Sequence, residues 1–350
     1  MQAEIIRPGD PRWLAFLDST AHDFYHLPGY VELCAQQEQG QAAAFWAEDG
    51  AYGILAPFVL RPMPADLDQD SGLQDASAPY GYPGPLLRGD PPEAAVTEFL
   101  RAFFEVGSAA GIVSAFFRFH PLLEVPPEPF RAFGTLLEHG ETVYVDLTLP
   151  AEELSRQTRV NHRADARRLL DAGYRVEVDA WQRMPDFIRV YQETMRYRSA
   201  EAFYRFDAEY FEALRRCMGE RLHLCTVVAP EGPVAAGGLF TCVDGLMEFH
   251  LSGTGDAFRR TGPAKLMLIH MRDWAKAHGQ RCMHLGGGVG CAADSLAFFK
   301  QGFSRLRGRF STFRMVLQPD SYRRLVRRHI WGEPPDRVAP SDYFPAYRRP

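Results

Sequence analysis

Residues 227–303 read VVAPEGPVAAGGLFTCVDGLMEFHLSGTGDAFRRTGPAKLMLIHMRDWAKAHGQRCMHLGGGVGCAADSLAFFKQGF. The spacing predicts a strand hairpin, a strand ending in a polar loop, a helix opened by Gly-Pro, a further strand, a glycine-rich exit and a short aromatic helix carrying one lysine. Arg259, Gly262 and Ala264 fit the pattern Arg-x-x-Gly-x-Ala at the start of that first helix. Its apolar residues Ala264, Met267, Leu268, Met271, Trp274 and Ala275 fall on one stripe, with Lys265, Arg272, Asp273 and Lys276 on the other side. Gly262 is expected as N-cap, Pro263 as the first helical residue and Gly279 as the stop.

A helix mouth of this kind offers unpaired backbone N–H groups and the positive end of the peptide dipole, so it can hold a phosphate or pyrophosphate. Arg259 could add a charge-assisted bond, and an ordinary capped core helix has the same appearance. The turn is similar to the cofactor-binding turn of the GNAT acyltransferase fold. Together with EFHLSGT, GPAKLMLIHMRDWAKAHG, HLGGG and DSLAFFKQGF, it resembles the second domain of the Fem family of non-ribosomal peptidyltransferases.

That resemblance implies an α/β (α+β) fold of two GNAT-like domains in tandem, with mixed central sheets flanked by helices. It also implies transfer of an amino acid from aminoacyl-tRNA onto an amine of a peptidoglycan precursor. The expected division is an acceptor-side domain over residues 1–150 and a donor-side domain over residues 151–350, with the tail from about residue 319 packing back on the first domain. A repeated order of hairpin, Gly-Pro turn, helix, glycine stop and strand in both halves agrees with one internal duplication.

Composition sets the bounds. At 350 residues with 46% hydrophobic side chains, the chain has enough apolar surface for two cores. The net charge of −5 divides into −14 over residues 1–150 and +9 over residues 151–350, so anions should prefer the second half. Residues 300–350 alone carry +8, a surface that could meet RNA or the acidic first domain. The six cysteines have no C-x-x-C or zinc spacing and are expected to be reduced, with no metal site. No apolar run is long enough to span a bilayer and the start has no signal pattern, which gives the expectation of a cytoplasmic protein.

The chemistry follows from what an acyl transfer to an amine needs: held partners, a deprotonated amine and stabilisation of the oxyanion, without a protein nucleophile. No Gly-x-Ser-x-Gly elbow, Walker loop or His-Glu-x-x-His occurs, and LGGGVGC does not fit the dinucleotide fingerprint. By resemblance, Phe299 and Lys300 lie at the acyl donor, where the ammonium could stabilise the oxyanion or a donor phosphate. His250 could serve as a base.

Gly286, Gly287 and Gly288 would let substrate approach the strand, or simply form a flexible exit. Tyr80, Tyr82 and Gly84 resemble the acceptor-side Tyr-Gly-x-x-Gly-Pro segment, and Tyr204, in an aromatic connector with Tyr197, Phe203 and Phe206, could line a pocket. One departure concerns the acceptor: where bridge-forming members carry Gln-Ser-x-x-Trp-x-x-x-Lys, this chain has His26, Leu27, Tyr30 and then Cys34 in place of lysine.

No tightly bound cofactor is expected, and aminoacyl-tRNA or acyl-CoA would be the co-substrate. The acceptor would be a cell-wall precursor or a nucleotide sugar, with peripheral association to a lipid-linked precursor. Two alternatives stay open: an acyl-CoA-dependent N-acyltransferase, and a non-catalytic protein that binds an anion or RNA.

Overall fold

The computed structural model describes residues 1–68, 72–198, 206–329 and 343–349. The chain forms two compact units, one of Met1–His139 with Phe310–Pro350 and the other of Gly140–Arg309. Each is built on its own run of sheet with helices against it.

The first unit begins with β1 (Gln2–Ile6), α1 (Pro11–Asp18), α2 (Pro28–Gln37), β2 (Gln41–Asp49), β3 (Tyr52–Pro62), α3 (Ala65–Asp68), β4 (Gln74–Ser77), β5 (Leu86–Arg88), α4 (Glu93–Ala109), β6 (Ile112–Arg118) and α5 (Pro127–Phe133). β7 (Thr135–Asp146) leads into the second unit, followed by α6 (Ala151–Gln157), α7 (Val160–Asp171), β8 (Arg175–Val178), α8 (Met184–Tyr197), α9 (Ala208–Met218), β9 (Leu222–Val228), β10 (Val234–Val243) and β11 (Leu246–Thr254). Then come α10 (Pro263–Ala277), β12 (Cys282–Gly286) and α11 (Ser295–Lys300), before β13 (Leu306–Val316) and α12 (Pro319–His329) return to the first unit.

In the first unit the strand order is β1-β2-β3-β4-β6-β13, with β5 on β3; in the second it is β8-β9-β10-β11-β12-β7. The two orders match position by position. Antiparallel strands lead to one parallel pair, β4 with β6 and β11 with β12, and a helix crosses between its members. The last position is exchanged: the strand after β6 joins β12, and the strand after β12 joins β6.

That exchange places the domain cut elsewhere than Pro150. Phe313, Met315 and Leu317 belong to the first core with Phe58, Phe103 and Phe117, because β13 hydrogen-bonds to β6 from Thr312 opposite Arg118 to Val316 opposite Ser114. Tyr347 of the tail is fully buried with Met63, Leu67, Val113 and Leu325, and its hydroxyl lies 2.8 Å from Ser114 Oγ. Arg348 bonds Asp75.

The second core lies between its sheet and α7 and α10. Leu266, Met267, Leu268, Met271 and Ala275 of α10 are buried there with Met247, Met283 and Leu285. Burying each of the larger side chains is worth about 1.5–3 kcal/mol. Gly262 caps α10 with φ 68° and ψ 46°, a left-handed conformation that suits glycine, and Pro263 follows at the first turn. One residue of the expected polar stripe turns inward. Arg272 is 5% exposed, donating to Thr158 Oγ1 at 2.7 Å and to the Leu154 carbonyl, so it closes the end of α6 as well as pairing with Asp273.

Candidate functional site

The parallel ladder of the second unit runs from Leu246 opposite Cys282 to Glu248 opposite His284. β11 then continues to Thr254 along β10, while β12 ends at Gly286, paired with Val143 of β7. The two strands part at this point. Met247, Met283 and Leu285 face the core, so alternation sends Glu248 and His284 to the opposite face. Both are buried, at 1% and 0% exposure, with Glu248 Oε1 2.6 Å from His284 Nδ1.

His250, two residues on, is the extra residue of a β-bulge, where the register passes from Phe249 opposite Phe240 to Leu251 opposite Leu239. Burial of its ring pushes the imidazole down to about 3. This corrects the expectation of His250 as a ready base, because a group so hard to protonate holds a proton poorly at neutral pH.

The glycine turn and Lys300 come together. The Lys300 ammonium, 9% exposed, donates to the Gly287 carbonyl at 2.7 Å and lies 5.9 Å from the Phe249 ring centre. It therefore braces the turn from inside. Gly288 is required by packing: a Cβ there would overlap the Asp294 carboxylate and the Ala292 carbonyl. Asp294 caps α11 through Ala297 N at 2.8 Å and also accepts from Val289 N at 3.1 Å. Burial works against its charge, but the amides of Ala297, Val289 and Leu296, with the nearby Arg198, together hold the carboxyl below its usual range.

Phe299 is a packing residue, 5.3 Å from Phe303 and 5.4 Å from His162 of α7. The neighbouring Phe298 is the exposed one. Asp165, one turn along the same face of α7, pairs with Lys265 in the first turn of α10. The mouth of α10 and the base of α11 thus meet on one face of α7. Burial, with Lys265 and Arg159 adding, holds the His162 imidazole down to about 4.

Arg259 departs from its expected role. Its Nε donates to Asp256 at 3.0 Å, one terminal nitrogen donates to the Glu193 carbonyl at 3.1 Å, and the guanidinium covers the Tyr197 ring at 3.9 Å. An arginine so engaged ties the loop to the end of α8. Gly262 and Ala264 keep the geometry of a helix mouth.

In the first unit, Tyr80, Tyr82 and Gly84 are knitted to the segment around α2. Tyr30 donates to the Tyr80 carbonyl at 2.9 Å, and the Tyr82 ring lies 5.2 Å from Phe310 and 5.7 Å from Tyr25. His26 Nε2 lies 3.1 Å from the Gly84 carbonyl while its Nδ1 accepts from Asp23 N. Nδ1 also lies 3.1 Å from the Asp23 carbonyl, and burial, reinforced by His120, pushes this imidazole down to about 3. His120 Nε2 in turn lies 3.2 Å from the buried Asp23 carboxylate. Tyr204 and Phe203 lie outside the described residues, whereas Phe206 is stacked on Tyr210 at 3.8 Å.

Asp23, His120, Glu248 and His284 were not singled out from the sequence. The available signal was a polar residue inside an otherwise apolar strand, as in LMEFHL and CMHLG.

The parted parallel strands, the helix mouth and the glycine turn define a GNAT-type fold in the second unit. Residues 156–300 match the family described as acetyltransferase (GNAT) domain. The fold of the whole chain is the Fem-like tandem GNAT fold, and FemX superposes on it with a TM-score of 0.70 at 15% identity, over 92% of this chain and 99% of that one. L-PGS from Bacillus licheniformis gives 0.55 at 16% identity, over 88% and 92%. The C-terminal domain of a putative lysylphosphatidylglycerol synthetase from Agrobacterium fabrum gives 0.56 at 15%, over 89% and 92%. No curated protein matches. The chain is a transferase, and no helix among its described residues is long and apolar enough to cross a membrane.

Proposed function

We propose that this protein moves an aminoacyl group from aminoacyl-tRNA to an amine of a cell-wall precursor by direct attack, without a covalent enzyme intermediate. The observation that carries the reading is the parting of β11 and β12 at the buried Glu248–His284 pair, beside the turn braced by Lys300. Acyl transfer needs a place where a carbonyl can lie against strand backbone, and a group that takes the proton of the attacking amine. The Glu248–His284 pair supplies the proton acceptor in this reading. Lys300 orients the Gly287 backbone and adds positive charge near the developing oxyanion. In this reading Tyr80, Tyr82 and Gly84 of the first unit bind the acceptor.

Two points support an aminoacyl cargo. FemX matches over nearly its full length, and the Agrobacterium fabrum neighbour is named for an aminoacylated lipid. Arg259 is also engaged with Asp256, which weakens the case for a guanidinium reserved for a CoA pyrophosphate. The second reading, an acyl-CoA-dependent N-acyltransferase acting on a nucleotide sugar, a polysaccharide intermediate or a small amine, is favoured by the helix mouth at Gly262 and Ala264.

The test offers labelled aminoacyl-tRNAs and acyl-CoAs to the purified chain with a cell-wall precursor extract, with and without ribonuclease. Ribonuclease-sensitive transfer is expected. Transfer from acyl-CoA that resists ribonuclease would replace the first reading by the second.

A further inference from the structure

We propose that the rim of the second unit formed by α7, α11 and the end of α8 docks on an anionic lipid surface. Large apolar side chains stand in solvent here: Val160 is 71% exposed, Val289 68%, Tyr197 65%, Phe298 63% and Leu170 50%. The remaining exposed large hydrophobics among the described residues, Met1, Leu14 and Tyr343, belong to the other unit. An apolar surface held in water needs a reason.

The five are connected. Val160 and Leu170 lie along one face of α7 with Arg167 between them. The Arg159 guanidinium, next to Val160, covers the Phe298 ring at 4.0 Å. Phe298 N bonds the carbonyl of Asp294, whose carboxylate takes Val289 N at 3.1 Å. Arg198, close to Asp294, lies 6.0 Å from the Tyr197 ring centre.

The charges favour an anionic partner. Two cations stand among these side chains: Arg159 over the Phe298 ring, and Arg198 beside the Tyr197 ring and the Asp294 carboxylate. Apolar tips between arginines whose long stems can lie along an apolar phase match an interface of acyl chains below acidic headgroups. Single-stranded RNA fits less well. Arg159 already occupies a face of Phe298 and Arg259 a face of Tyr197, and Val160, Val289 and Leu170 offer no ring on which a base could stack.

The experiment is flotation of the full chain with vesicles of phosphatidylcholine alone, and of equal parts phosphatidylcholine and phosphatidylglycerol, at low and high salt. Binding is expected to the mixed vesicles only, and to weaken with salt. Arg159→Gln should lower the partition coefficient roughly fivefold, since a surface arginine is worth about 1 kcal/mol there. The double variant Val160→Ser, Phe298→Ser should abolish flotation at an unchanged melting temperature.

Failure of the wild type to float with mixed vesicles overturns the proposal. So does flotation that both variants retain, or binding of single-stranded RNA, lost in the same variants, in place of vesicles. Flotation does not depend on catalysis, so it succeeds or fails apart from the transfer assay.

Discussion

Lys300 is the only residue of the site whose charge is buried against a backbone carbonyl of the glycine turn among the contacts described above, and its removal tests the proposed chemistry most directly. Lys300→Met keeps the apolar stem and should slow single-turnover transfer about 100-fold, the typical effect of losing one oxyanion-stabilising group. A rate within threefold of wild type would reduce Lys300 to a brace. Glu248→Gln should cost about 100-fold or more in the same assay and flatten the acidic arm of the pH–rate profile; an unchanged profile would place the proton acceptor elsewhere. Acid stability is set by different residues. His26 and His250 are held down to about 3 and His162 to about 4, so they stay neutral in the folded chain and take up protons on unfolding once the pH drops below about 6.5. Their contribution is whole above that pH and is lost as the pH falls towards 4. Glu38, raised by burial, works in the opposite sense above its ordinary range. The melting temperature should fall between pH 7 and pH 4, and His26→Gln should lessen the slope; a flat curve would contradict the neutral assignment. None of these histidines could be assigned a protonation state from the sequence, because the cause is burial by distant strands.

At the scale of elements, the sequence was most legible where local chemistry decides the outcome. The Gly-Pro start of α10, its core stripe and its stop near Gly279 follow from capping and periodicity, and the structure has all three. What local chemistry could not specify was the partner of each charge. Arg272 goes inward because the open end of α6 lies there, and Arg259 turns to Asp256 and the last turn of α8. Arg259→Ala should accordingly lower the melting temperature while leaving the donor KM within about threefold, a change too small for loss of a phosphate contact. A tenfold rise in donor KM would mean that this arginine leaves Asp256 when donor binds. Gly84→Ala tests the acceptor segment: the new methyl would sit 2.7 Å from Phe119 Cα, and overpacking of that kind costs about 1–3 kcal/mol, measurable by denaturant unfolding. Unchanged stability would show that the segment can move away from β6.

At the scale of the whole molecule, the duplication was visible in the order of elements, and the exchange of final strands was not. Strand pairing between residues some 200 positions apart, Ser114 with Val316 for example, leaves no periodic trace in either segment. Expression of residues 1–150 and 151–350 as separate polypeptides should give two insoluble or unfolded products, since the first lacks β13 and the second lacks β7, and co-expression should restore a soluble pair. Independent folding of either piece would show that the exchanged strands are dispensable. The same arrangement sets an order of events during synthesis. The ribosome has made everything the second sheet requires before it reaches residue 310, whereas β6 waits with one side bare until residues 312–316 are made. The half begun first is finished last, and a chain that stops before residue 312 leaves β6 in the form most prone to pair with a stranger.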